Sequence, residues 1–138
     1  MNRSRCRLVV HCSWSTFDRL PIITAKLDGE LRDAVAAQCD RLAAPLIAFG
    51  ASTDHVHVLF VLPSTVTAST AIGAFKGASG YVLQPRSECL VAWSRGYFAQ
   101  SAWPDDLDEL TQYVRHQREV HETRRVLDRF EAQDPRSR

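Results

Sequence analysis

Residues 54–62 read Asp54-His55-Val56-His57-Val58-Leu59-Phe60-Val61-Leu62, and Pro63 follows them. This apolar, β-branched run is the clearest strand signal in the chain, and the proline stops it. A strand rises about 3.3 Å per residue and alternates its faces, so His55 and His57 point the same way, roughly 6.5 Å apart along the backbone. That spacing lets both rings converge on one divalent metal ion. Two histidines in a strand are also at home as packing or as surface, so the pair alone leaves the metal an open reading. Asp54 either backs an imidazole through a hydrogen bond or simply closes the turn after Gly50.

Working outward from this strand, residues 7–15 (RLVVHCSWS) read as a first strand, closed by a turn at Leu20-Pro21. Thr24 is a candidate N-cap for a helix over residues 26–42, where Leu27, Leu31, Val35, Cys39 and Leu42 recur at helical spacing. Residues 46–49 make a short second strand and 50–53 a turn. Residues 70–83 read as a second helix, although Gly73, Gly77 and Gly80 each cost about 1 kcal/mol relative to Ala. Residues 91–100 form an aromatic fourth strand. Pro104 and Asp105 then open a long helix to about residue 130, with acids in its first turn as the macrodipole prefers. Residues 134–138 read as a frayed tail.

The order β-α-β-β-α-β plus a terminal helix predicts an α+β fold, a ferredoxin-like split βαβ antiparallel sheet. Helices then cover one sheet face, the third strand lies in the middle, and the other face is free to carry a site. Tyr113 and Gln117, four residues apart, share one face of the terminal helix.

Composition sets the outer bounds. The 138 residues predict one domain spanning 1–138, large enough for a core without staples. No apolar stretch approaches the roughly 20 residues that cross a bilayer, so no membrane span is expected. The basic N-terminus (Arg3, Arg5, Arg7) runs into Val9-Val10-His11-Cys12-Ser13, too polar for a secretory signal. Cys6, Cys12, Cys39 and Cys89 show no metal-type spacing and read as free thiols of a reducing cytoplasm. Seventeen basic residues against sixteen acidic ones give a net charge of only +1. That weakens a nucleic-acid reading unless the basic residues gather on one face.

Five blocks in order resemble one family. They are His11-Cys12-Ser13-Trp14-Ser15-Thr16, Asp54-His55-Val56-His57, Phe75-Lys76-Gly77-Ala78-Ser79, Trp93-Ser94-Arg95-Gly96-Tyr97-Phe98 and Tyr113-Val114-Arg115-His116-Gln117. Any one is weak, but together they resemble the bacterial single-strand DNA transposases of the tyrosine, His-hydrophobic-His class, including their REP-associated relatives. The resemblance runs from about residue 11 to residue 117.

The resemblance implies a metal-dependent endonuclease and strand transferase. His55, His57 and the Gln117 carbonyl would hold a Mg²⁺ or Mn²⁺ ion, and Tyr113 would be the nucleophile that leaves a 5′-phosphotyrosine and a free 3′-hydroxyl. A phenol, which ordinarily titrates near pH 10, needs help at neutral pH, and no base is evident in the sequence. The same resemblance implies a homodimer, with active sites built in cis or shared between subunits. It implies single-stranded DNA with hairpin ends as partner, and a cytoplasmic, nucleoid-associated location.

Arg19, Lys76 and Arg95 are candidate phosphate contacts, each otherwise an ordinary surface charge. Among the other tyrosines, Tyr97 reads as core or a stacking platform for a base and Tyr81 as core. Trp14 and Trp93 read as core aromatics. His11 reads first as strand packing, with a second reading in which it lines the same sheet face as the histidine pair. His116 and His121 read as solvated helix residues, with His116, one turn from Tyr113, the alternative helper of that phenol. The chain departs from the family where a lysine commonly follows the Ser-Thr of the first strand, since Phe17-Asp18 intervene before Arg19. The alternative is a host-tamed relative that binds hairpin DNA without cutting it. A metal-independent phosphoesterase with two His-x-Ser/Thr motifs is disfavoured, because the chain has one HxH and no second copy.

Overall fold

The computed structural model describes residues 6–84, 92–122 and 127–131. Four strands, β1 (Leu8–Ser15), β2 (Leu46–Ala51), β3 (His55–Leu62) and β4 (Phe98–Ser101), form one sheet in the order β2-β3-β1-β4. Every neighbouring pair is antiparallel. α1 (Asp28–Leu42) connects β1 to β2, and α2 (Ala68–Leu83) lies between β3 and β4. This is the expected split βαβ arrangement, with β3 and β1 in the middle.

Strand alternation sorts the residues into two cores. Val10, Cys12 and Trp14 of β1 join Val56, Val58 and Phe60 of β3 on one face, packed against Leu31, Val35 and Cys39 of α1 and Ile72 and Phe75 of α2. The Phe60 and Phe75 rings meet edge to face at 5.1 Å, and Trp14 meets Trp93 likewise at 5.8 Å. Thr67 caps α2, its hydroxyl accepting from the Thr70 amide, so this helix starts two residues before the expected residue 70.

The opposite face carries His55 and His57 as expected, but beneath helices rather than open. α3 (Leu107–Arg115) and α4 (Gln117–Glu122) lie across it, with Leu110, Tyr113, Val114 and Val120 packed against Leu59 and Ala48. Gly50 makes this closeness possible: a Cβ there would sit 1.6 Å from the Val114 carbonyl oxygen. Gly50 pairs with His57 in the β2–β3 register, so the same contact sets α3 beside the histidine strand.

Two predicted elements are shorter than expected. The terminal helix breaks at His116, whose φ of −110° and ψ of 36° separate α3 from α4. Arg118 stabilises the redirected α4, its guanidinium forking onto both Asp28 carboxylate oxygens and reaching the Ile23 carbonyl. The predicted fourth strand contracts to β4 because Gly96 takes a left-handed φ of 83° and Trp93 makes only an isolated bridge to Thr16. Thr24 precedes a short 3₁₀ turn rather than capping α1 through its side chain. Tyr81, expected in the core, is 78% exposed. The tail at 134–138 and Cys89 lie outside the described residues.

Candidate active site

His55 and His57 both face α3 and α4, as a two-residue strand period demands, and both are buried. Each has its Nδ1 tied back into the protein. His55 Nδ1 lies 2.8 Å from the Asp54 carboxylate and 2.8 Å from the Ser52 hydroxyl. His57 Nδ1 lies 2.7 Å from His11 Nε2, a diagonal contact across the β1–β3 pair, where His11 registers with Leu59. His11 is therefore more than strand packing. Its ring stacks on His57 with centroids 5.0 Å apart.

The other nitrogens are left over. His55 Nε2 and His57 Nε2 are buried and make no hydrogen bond. Leaving such groups unpaired is costly unless something else takes their lone pairs. With Nδ1–H donating to Asp54 or His11, each ring is held as the tautomer whose Nε2 is a lone pair, the arrangement that suits a metal ligand.

For His57 and His11 the electrostatics agree with neutral rings. Burial lowers the His57 pKa, against the opposing pull of Glu131. Burial and the neighbouring His57 push His11 down to about 3, Glu131 again opposing. Asp54 is lowered by its hydrogen bond to His55, against burial.

Tyr113 comes from α3, its ring 6.0 Å from that of His57 within the same chain. Its hydroxyl donates to Glu131 Oε1 at 2.5 Å and accepts from the Leu127 amide at 3.2 Å. Gln117, at the start of α4, is buried. Its amide nitrogen donates to the Tyr113 carbonyl, so its oxygen is turned toward His121 Nε2, 3.1 Å away.

Two residues that the sequence reading did not place here complete the cluster. His121, expected to be solvated, packs its ring 4.6 Å from that of His55. Its position four residues beyond Gln117, which is itself four beyond Tyr113, was the available signal. Glu131 lies among the three imidazoles, its Oε2 at 3.3 Å from His57 Nε2 and 3.9 Å from His55 Nε2, and its Oε1 at 3.3 Å from His121 Nε2. His55, His57, His121 and Glu131 can each offer one ligand atom, all within 4.8 Å of one another. Burial would raise the Glu131 pKa, but the facing ring nitrogens of His121 and His57 and the donated Tyr113 hydroxyl together hold it well below the usual carboxylate range.

A cleft of about 170 Å³ opens beside His55 and Glu131, lined also by Arg19, Arg95 and the half-exposed Tyr97. A turn with left-handed Asp18 and Arg19 carries Arg19 to within 3.7 Å of Asp54. Lys76 does not reach this cleft's lining; its ammonium donates to the Ser94 and Gly96 carbonyls, bracing the loop that bears Arg95 and Tyr97. His116 is exposed and bonds back to the Gln112 carbonyl.

A family model described as IS200-like transposase matches residues 4–117. Among solved structures, a candidate transposase from Deinococcus radiodurans R1 aligns over 86% of this chain and 98% of its own, with a TM-score of 0.64 and 21% identity. A REP-associated tyrosine transposase bound to a REP hairpin aligns over 91% of this chain and 74% of its own, with a TM-score of 0.65 and 12% identity. At these identities the likeness is one of fold. No curated protein matches the sequence.

Proposed function

The chain belongs to the IS200-like transposase family, and on that footing we propose that it cuts and rejoins single-stranded DNA at hairpin-bearing ends through Tyr113. The observation that carries this reading is the convergence of the Tyr113 hydroxyl and the two orphaned imidazole nitrogens of His55 and His57 on one carboxylate, Glu131. A nucleophile and a ligand pair thus share one buried spot.

A Mg²⁺ or Mn²⁺ ion held by His55, His57 and the Gln117 oxygen would act there as a Lewis acid on the scissile phosphate. The residues do the rest. The Tyr113 oxygen attacks phosphorus and forms the 5′-phosphotyrosine bond, while the bond to the 3′-oxygen breaks and that oxygen leaves as a 3′-hydroxyl, taking up a proton. A 3′-hydroxyl attacking the phosphotyrosine reverses the exchange and rejoins a strand, so the phosphodiester energy is conserved. Asp54 and His11 keep the imidazoles in the ligand tautomer, and Gln117 is oriented by its bond to the Tyr113 carbonyl.

Arg19 and Arg95 line the adjoining cleft and would meet the DNA backbone, with Tyr97 offering a face for a base. Lys76 would contribute through the loop it braces. The structural relative solved on a REP hairpin supports hairpin DNA as partner. The resemblance supports a homodimer, with sites in cis or shared. No helix among the described residues is long and apolar enough to cross a membrane. On the DNA-cutting reading, and not on that absence, we place the protein in the cytoplasm at the nucleoid.

Covalent capture tests the reading. Labelled single-stranded DNA with hairpin ends is mixed with the protein, with and without Mn²⁺ or Mg²⁺, and run on a denaturing gel. A metal-dependent protein–DNA band that disappears in Tyr113→Phe and His55→Ala is the expected result. A band persisting in Tyr113→Phe moves the nucleophile elsewhere. Tight hairpin binding with no band under any metal identifies the host-tamed, non-catalytic relative instead.

A further inference from the structure

We propose that Glu131 is an additional, anionic ligand of the divalent ion, and that the same carboxylate holds the Tyr113 hydroxyl beside that ion. This rests on the metal-dependent reading above and extends its ligand set beyond the two histidines and Gln117.

The two carboxylate oxygens have separate surroundings. Oε2 faces the two imidazole nitrogens that have no other partner, at 3.3 Å from His57 Nε2 and 3.9 Å from His55 Nε2. Neighbouring ligands of an octahedral ion with bonds near 2.1 Å stand about 3.0 Å apart. The His57–Glu131 separation is therefore one that two ligands of a single ion adopt with little rearrangement. Oε1 has different partners, accepting from Tyr113 at 2.5 Å and lying 3.3 Å from His121 Nε2.

His121 has a defined part in this arrangement. Its Nε2 lies between the Gln117 oxygen at 3.1 Å and Glu131 Oε1 at 3.3 Å. As an N–H donor it aligns both oxygen-bearing side chains, leaving Glu131 Oε2 and a second lone pair on Gln117 for the ion. His121 is in this sense a positioning residue.

The chemistry also favours a carboxylate. Two imidazoles and an amide are all neutral, and a hard divalent ion such as Mg²⁺ or Mn²⁺ binds preferentially where a carboxylate contributes charge. Among the described residues, Glu131 is the acidic side chain brought to the orphaned nitrogens, and its side chain is only 17% exposed.

Metal affinity of the full chain reads the proposal directly. Protein freed of metal with EDTA is titrated with Mn²⁺, and free ion is followed by its electron paramagnetic resonance signal. The unmodified chain, Glu131→Gln, His121→Ala and His55→Ala are compared, with Co²⁺ visible spectra recorded in parallel. Glu131→Gln keeps the hydrogen-bond acceptor for Tyr113, so it is expected to fold, and a thermal melt in EDTA verifies this. Loss of a ligand should weaken Mn²⁺ binding by roughly 100-fold or more, and loss of the aligning His121 by about 10–100-fold. The Co²⁺ bands should shift in Glu131→Gln. Unchanged or tighter Mn²⁺ binding in Glu131→Gln, with binding lost in His55→Ala, overturns the proposal while leaving the histidine site standing. Absence of Mn²⁺ binding in the unmodified chain overturns both it and the metal-dependent reading.

Discussion

His11 Nε2 lies 2.7 Å from His57 Nδ1, so one imidazole on β1 sets the tautomer of another on β3. His55 has a carboxylate behind it and His57 a neutral ring, which makes His11 the acceptor that keeps the His57 Nε2 lone pair pointed at the cluster. Replacing His11 by Phe keeps a ring among Phe98 and Phe130 but removes the acceptor. Mn²⁺ affinity should then fall by about 10–100-fold, as for other outer partners of metal-bound histidines. His11→Gln, whose amide oxygen can take the same proton, should stay within a few-fold of the unmodified chain. Equal affinity in the Phe and Gln variants would show that the contact is packing alone.

Acid should destabilise the metal-free protein earlier than its carboxylates alone would suggest. His11 is held to about 3 and His57 is also lowered, both chiefly by burial, whereas in an unfolded chain they titrate near 6.5. Between those values the unfolded state binds more protons than the folded one, so stability falls as pH drops below about 6.5. The slope limit is about 1.4 kcal/mol per pH unit for each such histidine. Asp54 and Glu131, both lowered, add stability that is present above their unfolded values and lost as pH falls further, in the same direction. Urea midpoints in EDTA should be level from about pH 8 to 7 and decline from about 6.5, with a shallower decline in His11→Phe. A flat profile down to about pH 5 would contradict the buried neutral pair.

Ala43 ends α1 in the left-handed region at φ 54°, an exposed C-terminal position where glycine is the usual occupant. An alanine there carries about 1–2 kcal/mol of steric cost, offset in glycine by the greater freedom of its unfolded state. Ala43→Gly should therefore stabilise the protein by roughly 0.5–1 kcal/mol in urea unfolding, without altering Mn²⁺ binding. A loss of stability would mean that the helix ends differently in solution.

The sheet and the histidine pair were legible because both depend on a period of two along β3, and nothing longer-ranged is needed to put His55 and His57 on one face. Tyr113 and Gln117 were picked out by a spacing of four on one expected helix. That helix breaks at His116, yet the Gln117 amide still reaches the Tyr113 carbonyl across the break. The rest depends on contacts distant in sequence. Nothing at His116 announces a break, since it is neither proline nor glycine, and the redirected α4 is held by Arg118 reaching back to Asp28. Glu131 reaches the histidines from beyond that break, so no spacing rule connects them. Tyr81 reads as apolar helix yet projects outward, because Ala71, Ile72 and Phe75 already occupy the buried side of α2. His121 was within reach, since 113, 117 and 121 share one helical spacing, but a histidine among charged neighbours reads as solvated.

Gly50 couples the fold to the site most tightly. A Cβ at that position would fall 1.6 Å from the Val114 carbonyl oxygen, 2.8 Å from its carbon and 3.0 Å from Gln117 Cγ. Backbone cannot step aside as a side-chain tip can, so Gly50→Ala must push α3 off the sheet, and Tyr113 and Gln117 with it. The cost should sit at the upper end for overpacking, about 3 kcal/mol, which for a chain of this size lowers the melting temperature by roughly 10 °C. Because the shift acts on the nucleophile's own helix, covalent DNA capture should be lost even at temperatures where the variant remains folded. Gly29, in the first turn of α1, has nothing within 4 Å of its would-be Cβ. Gly29→Ala should therefore be neutral or stabilising by up to about 1 kcal/mol and leave capture intact. Melting curves and capture on the two variants together separate a general intolerance of substitution from the specific approach of α3 to β2. Normal capture by Gly50→Ala would mean that the tyrosine helix need not lie where it packs in this chain.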